Sequence, residues 1–178
     1  MLNKRFVFLS MVIFAVALFR LVPHLPNFTP VLAIALFGGM VFQNRFSAFL
    51  VPLSAMLISD FLIGFHSQVL IVYPTLMLVV TMGFWLRNRQ TVLPIVGVTL
   101  SASLLFYLIT NFGVWLLDGM YPMNAAGLMA SYVAGLPFLQ YAVAGDLFYV
   151  AILFGGYALA KRNHDWLRPT TQGIAGIQ

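Results

Sequence analysis

The sequence predicts an all-α integral membrane protein, a bundle of six transmembrane helices with both termini on the cytoplasmic side. Three observations lead there. The 178 residues have a mean hydropathy of +0.98 and only 7% charged side chains, with no glutamate, which is too apolar for a soluble domain of that size. The apolar residues fall into six long runs separated by short polar or proline-containing segments. Of the nine Lys and Arg residues, all but Arg20 lie at the N-terminus, at the second and fourth turns or at the C-terminus: Lys4, Arg5, Arg45, Arg87, Arg89, Lys161, Arg162 and Arg168. With six spans those positions share one side, and an excess of positive charge marks it as cytoplasmic.

The formal net charge of +5 does not imply nucleic acid, because the basic residues are small clusters between apolar runs rather than one basic face. The chain has no cysteine, so disulfides, thiolate nucleophiles and thiolate metal sites are excluded. No second domain is expected. Residues 1–178 form one transmembrane domain with a short cytoplasmic tail from about residue 161.

The first run, residues 6–22, follows Lys4 and Arg5 and has a small-residue triplet, Ala15 to Ala17, that imitates a signal-peptidase site. The apolar run continues past it, so an uncleaved span is expected. PHLPNFTP, residues 23–30, then interrupts the chain with three prolines. The second run, residues 29–42, is short: at 1.5 Å per residue it reaches about 21 Å, against a hydrocarbon core of about 30 Å. With its inner end fixed by Arg45, its outer end must be recessed. PHLPNFTP then dips into the outer leaflet, where irregular backbone survives only beside protein or a water-filled cavity. Thr29 is the expected N-cap and Pro30 the first helical residue, so uncapped N–H groups and the positive dipole end would face that cavity.

Spans three to five are expected at residues 46–65, 69–86 and 91–117, and span six at 137–160. Between the last two, a short surface helix at about 125–134 would be closed by Gly135 and Pro137. LFGG recurs at 36–39 and 153–156, too short an echo to establish a duplication. Ala35 with Gly39, and Gly156 with Ala160, have the four-residue spacing that permits close helix packing.

The polar residues inside these spans concentrate in the outer half. Arg20, Asp60, Asn111 and Asp146 come from four different spans, and each intramembrane charge costs about 2.5 to 3.5 kcal/mol on insertion scales. Ser103, Tyr107, Thr110 and Asn111 follow the spacing of one helical face, which should point inward. These groups either line a ligand cavity or pair with each other to pin the bundle, Arg20 with Asp60 or Asp146. Asn27, in the proline-rich linker, would join the lining. His24 and His66, both in outer loops, would cover the cavity, as would Tyr121 and Tyr132. Two histidines without a third ligand make no metal site, and none is expected. Trp115, Tyr121, Tyr132, Phe138 and Tyr141 form either an interfacial aromatic belt or stacking surfaces for a flat ligand.

There is no phosphate-binding GxxxxGK[ST] loop, no HExxH zinc helix and no GxSxG elbow. An energised process would therefore depend on a partner ATPase or an ion gradient.

Four stretches carry a resemblance: RLVPHLPNFTPVLAIALFGG (20–39), PLSAMLISDFLIGFH (52–66), TNFGVWLLDGMYPMNAAGL (110–128) and GDLFYVAILFGG (145–156). Together they resemble a group of small bacterial inner-membrane proteins related to the substrate-binding S-components of energy-coupling-factor vitamin transporters, nearest to the solitary, cobalamin-binding BtuM type. The resemblance implies six helices, an outward-opening cavity and a vitamin-like ligand, with cobalamin or a related corrinoid as the transported ligand rather than a resident cofactor. It also implies an energising ATPase module as partner, alongside the lipid bilayer. The membrane cysteine of BtuM-type proteins is missing, and Ala15 and Ala17 lack the four-residue alanine spacing of module-recruiting S-components. The expected function is capture and uptake of a small molecule. An intramembrane enzyme using Asp60 and Asp146, and a non-catalytic subunit of a membrane complex, are the alternatives.

Overall fold

A computed structural model describes residues 3–65 and 67–168. Its described part is helical, with six α-helices: α1 (Lys4–Ala17), α2 (Val31–Val41), α3 (Arg45–Ile63), α4 (Val69–Trp85), α5 (Val92–Leu117) and α6 (Ala125–Asn163). Short 3-10 turns extend α1 over Leu18–Leu21 and α4 over Leu86–Asn88. Asparagine side chains begin three helices: Asn3 accepts from Arg5 N, Asn44 from Ser47 N and Asn124 from Gly127 N. Gly64, at φ 110°, ends α3 in a conformation that a side chain would strain.

Four helices are long and apolar enough to cross a membrane: α3, α4 with its terminal turn, α5 and α6. The outward surface agrees, with Phe61, Leu70 and Leu93 each at least 75% exposed. This is the surface of a membrane protein.

The expected first and second spans, α1 and α2, are not among these four. α2 has 11 residues and rises only about 16 Å. Ten of the eleven are buried, and the helix packs against all five others, so it is the axis around which the bundle is built. The approach to α4 is closest. A Cβ on Gly39 would strike the Val80 carbonyl oxygen and come within 2.9 Å of Gly83 Cα, so only hydrogen fits between these backbones. The packing role expected of Gly39 is therefore met. Gly156 differs: nothing lies within 4 Å of a Cβ built there, so its small size serves no helix contact.

The basic residues do more than mark one side. Arg87 donates to the carbonyls of Gly39 at 3.0 Å and Phe42 at 2.6 Å, and Arg5 donates to Val41 at 2.6 Å. Two guanidinium groups thus satisfy the carbonyls that the C-terminus of α2 leaves free, at the negative end of its dipole. Arg5 also bonds Leu167, and Lys161 reaches Gln90, so the basic segments meet at one end of the bundle.

The expected separate surface helix at 125–134 is absent. Those residues are the first turns of α6, which runs 39 residues, or about 58 Å, straight through Pro137. Pro137 removes one internal hydrogen bond and Gly135 does not act as a terminator, because α5 packs alongside this stretch. Tyr107 of α5 donates to the Tyr132 carbonyl at 2.5 Å, Ser131 donates to the Asn111 carbonyl at 2.8 Å, and Gly135 lies against the Asn111 side chain. These bridging contacts hold the helix where isolated sequence signals would stop it.

Candidate functional site

Because α2 is short, the space above its N-terminus is unfilled. The structure has there a cavity of about 550 Å³, at the end of the bundle away from the basic cluster. Its floor includes Val31 and Leu32, the first residues of α2. The walls come from α5 and α6, and the mouth from the α1–α2 linker, the start of α4 and the α5–α6 connection. The expected N-cap is corrected: Pro30 occupies that position, and no side chain caps the helix. The first backbone N–H groups of α2 therefore lack intrahelical and side-chain acceptors, at the positive end of the dipole.

Five of the nine expected site residues line the cavity: Arg20, Asn27, Asn111, Tyr121 and Asp146. Asn27 holds a left-handed backbone, φ 61°, which turns the proline-rich linker over the floor. Of the inward face expected on α5, Ser103, Tyr107, Thr110 and Asn111 all face the cavity.

Asp60 is not in the wall. It is 1% exposed and paired with Arg20 at 2.7 Å, and its second oxygen accepts from the Tyr73 hydroxyl at 2.8 Å. Arg20 also donates to Ser59 and contacts Met56. The expected pinning of the bundle by an ion pair is thus realised for Arg20 with Asp60, while Arg20 still borders the cavity. His24 is exposed, with Nδ1 2.7 Å from the Val22 carbonyl, and stays outside the lining. Tyr132 is also outside it, because its hydroxyl donates to the Leu108 carbonyl at 3.1 Å across the α5–α6 contact. His66 lies outside the described residues. Among the described residues no three His, Cys, Asp or Glu side chains converge to hold a metal ion.

Asp146 is 3% exposed and receives one hydrogen bond, from Ser103 Oγ at 2.7 Å. No cation approaches it, the ion pairs among the described residues being Arg20 with Asp60 and Arg168 with Asp165. The packing of Gly145 against Phe28, where a Cβ would lie 2.9 Å from Phe28 Cα, sets Asp146 beside the linker that enters α2.

Gln68 was not singled out from sequence, although a glutamine one residue before an apolar run is a visible signal. It lines the mouth, donates Nε2 to Asp118 at 2.6 Å, and has its Oε1 buried without a donor. Ser131, also in the wall, carried no sequence signal beyond small size, and Gly135 carried only the helix-ending signal that the structure overrules.

A family model covers residues 1–170, nearly the whole of this architecture. The chain belongs to DUF6580, a family of unknown function. The match takes in the α1–α2 linker, the short α2, and both walls of the cavity, so the site belongs to the family's shared region of the chain. No curated protein and no solved structure matches the chain.

Proposed function

We propose that this DUF6580 protein is a multi-pass substrate-binding component of bacterial inner-membrane uptake, with both termini cytoplasmic, that captures a vitamin-like small molecule from outside the cell. The observation that carries the reading is the cavity over the recessed end of α2. At about 550 Å³, mixed apolar and polar, it falls in the range of sites for drug-sized ligands. The basic cluster at the opposite bundle end supports a cytoplasmic placement of that end by the positive-inside rule, and with it an outward-opening cavity. The count of six helices also agrees with the S-component resemblance. The chain carries no nucleotide-binding loop, so energised transport would draw on a partner ATPase, as the resemblance implies, or on an ion gradient.

The volume bears on ligand size. A corrinoid is larger than an ordinary drug-sized molecule and would extend beyond the mouth. A vitamin of one or two rings fits the cavity as it stands. The enzymatic alternative loses support from the same geometry, since Asp60 is committed to Arg20 and Tyr73 rather than facing Asp146 across the cavity.

The test is native mass spectrometry of protein purified in mild detergent, followed by binding measurements with a vitamin panel that includes cobalamin. The uptake reading predicts a small molecule retained at one per chain, or a panel member bound with a micromolar or tighter dissociation constant. A stoichiometric protein partner with no small molecule would favour the subunit reading instead.

A further inference from the structure

The hydrogen-bonding groups of the cavity are unevenly spent. Donors on its walls already serve the protein's own acceptors: Thr110 donates to Phe106 O, Ser131 to Asn111 O, Tyr107 to Tyr132 O, and the Asn111 amide to Tyr107 O. Arg20, the one basic side chain in the lining, is neutralised by Asp60. Acceptors are left over. Asp146, the one acidic side chain in the lining, has a carboxylate able to take about four hydrogen bonds and receives one. Even that one is shared, because the single Ser103 hydroxyl hydrogen also faces the Thr99 carbonyl at 3.0 Å.

The apolar part of the same walls includes three aromatic rings, Phe106, Tyr107 and Phe138, among aliphatic residues such as Val114, Leu139 and Ala142. Ring faces attract cations, and flat apolar bodies stack on them. At the mouth, Asp118 adds negative charge beside Gln68 and favours the approach of a positive ligand. The countervailing donors are the free N–H groups of α2 on the floor and the Asn27, Thr29 and Tyr121 side chains around the mouth, which suit a carbonyl or other neutral acceptor at the ligand's far end.

From this imbalance we infer that the cavity's ligand carries a cationic nitrogen group, a protonated amine or amidinium, on a flat aromatic body, and that Asp146 is its counter-ion. The inference rests on the ligand-capturing role proposed above and adds the ligand's chemical class.

Three probes of matched shape test it on the full-length protein in detergent: benzamidinium, neutral benzamide and anionic benzoate, with binding read by calorimetry and by ligand-observed NMR. The expected order is benzamidinium tightest and benzoate weakest. Asp146→Asn, which keeps the side chain's shape, should weaken benzamidinium by about 10- to 100-fold, the scale of a lost charge-assisted hydrogen bond, and benzamide by much less. If that variant does not fold, the order measured on the wild type decides alone. Benzamide or benzoate binding as tightly as benzamidinium would overturn the inference and leave the uptake reading standing. So would undiminished benzamidinium binding by a folded Asp146→Asn protein. Binding of none of the three overturns it as well, and the uptake reading then stands or falls on the mass-spectrometric result.

Discussion

Removing the carboxylate from Asp60 should destabilise the protein through the guanidinium it leaves behind. In the wild type Arg20 Nη2 lies 2.7 Å from Asp60 Oδ1, with the two side chains 12% and 1% exposed. Asp60→Ala leaves that charge facing Met56 and Ser59, and deprives the Tyr73 hydroxyl of its acceptor. Breaking one partner out of a buried pair costs about 3 to 5 kcal/mol. Water in the adjoining cavity can reach Arg20 and relieve part of the penalty, which places the expected loss near 3 kcal/mol. The double variant Arg20→Met, Asp60→Leu removes both charges and should recover to within about 1 kcal/mol of the wild type, since apolar replacements of a buried pair are commonly neutral. Reversible unfolding in mixed detergent and SDS micelles, read by tryptophan fluorescence, measures all three proteins. The reasoning is refuted if Asp60→Ala matches the wild type, or if the double variant is less stable than the single one.

Two further predictions come from the same contacts. Gly39→Ala forces α2 and α4 apart and should cost about 1 to 3 kcal/mol, whereas Gly156→Ala, with open space around it, should stay within about 0.5 kcal/mol of the wild type in the same unfolding assay. Ala142→Phe fills the cavity from the α6 wall; calorimetry should show ligand binding lost, with unfolding changed by no more than about 1 kcal/mol because the added ring enters empty space.

Much of this arrangement was legible in the sequence because membranes make two signals strong. Apolar length located most of the helices, and the insufficient length of the second run located the cavity beside PHLPNFTP. The face Ser103, Tyr107, Thr110 and Asn111 followed from helical spacing alone. The rest depended on pairing between distant segments. Arg20 could have met either Asp60 or Asp146, and only the packing of α1 on α3 selects Asp60 and frees Asp146. Gly135 and Pro137 looked like a helix end because local propensity counts one lost hydrogen bond against continuation. The bridges from Tyr107 and Ser131, 25 and 20 residues in sequence from their respective partners, overrule it. The second role of Arg5 and Arg87, capping α2 from other helices, was likewise hidden behind their more obvious value as topology signals.

The most direct measurement uses the absence of cysteine from the chain, which gives a silent background for thiol labelling. Single-cysteine proteins Val31→Cys, on the cavity floor, and Gln90→Cys, at the basic end, are treated in intact cells with a membrane-impermeant maleimide. A cavity open to the outside over a recessed α2 predicts labelling of position 31 in intact cells and of position 90 only after lysis. Labelling of position 90 from outside, or protection of position 31 until the membrane is dissolved, would contradict it.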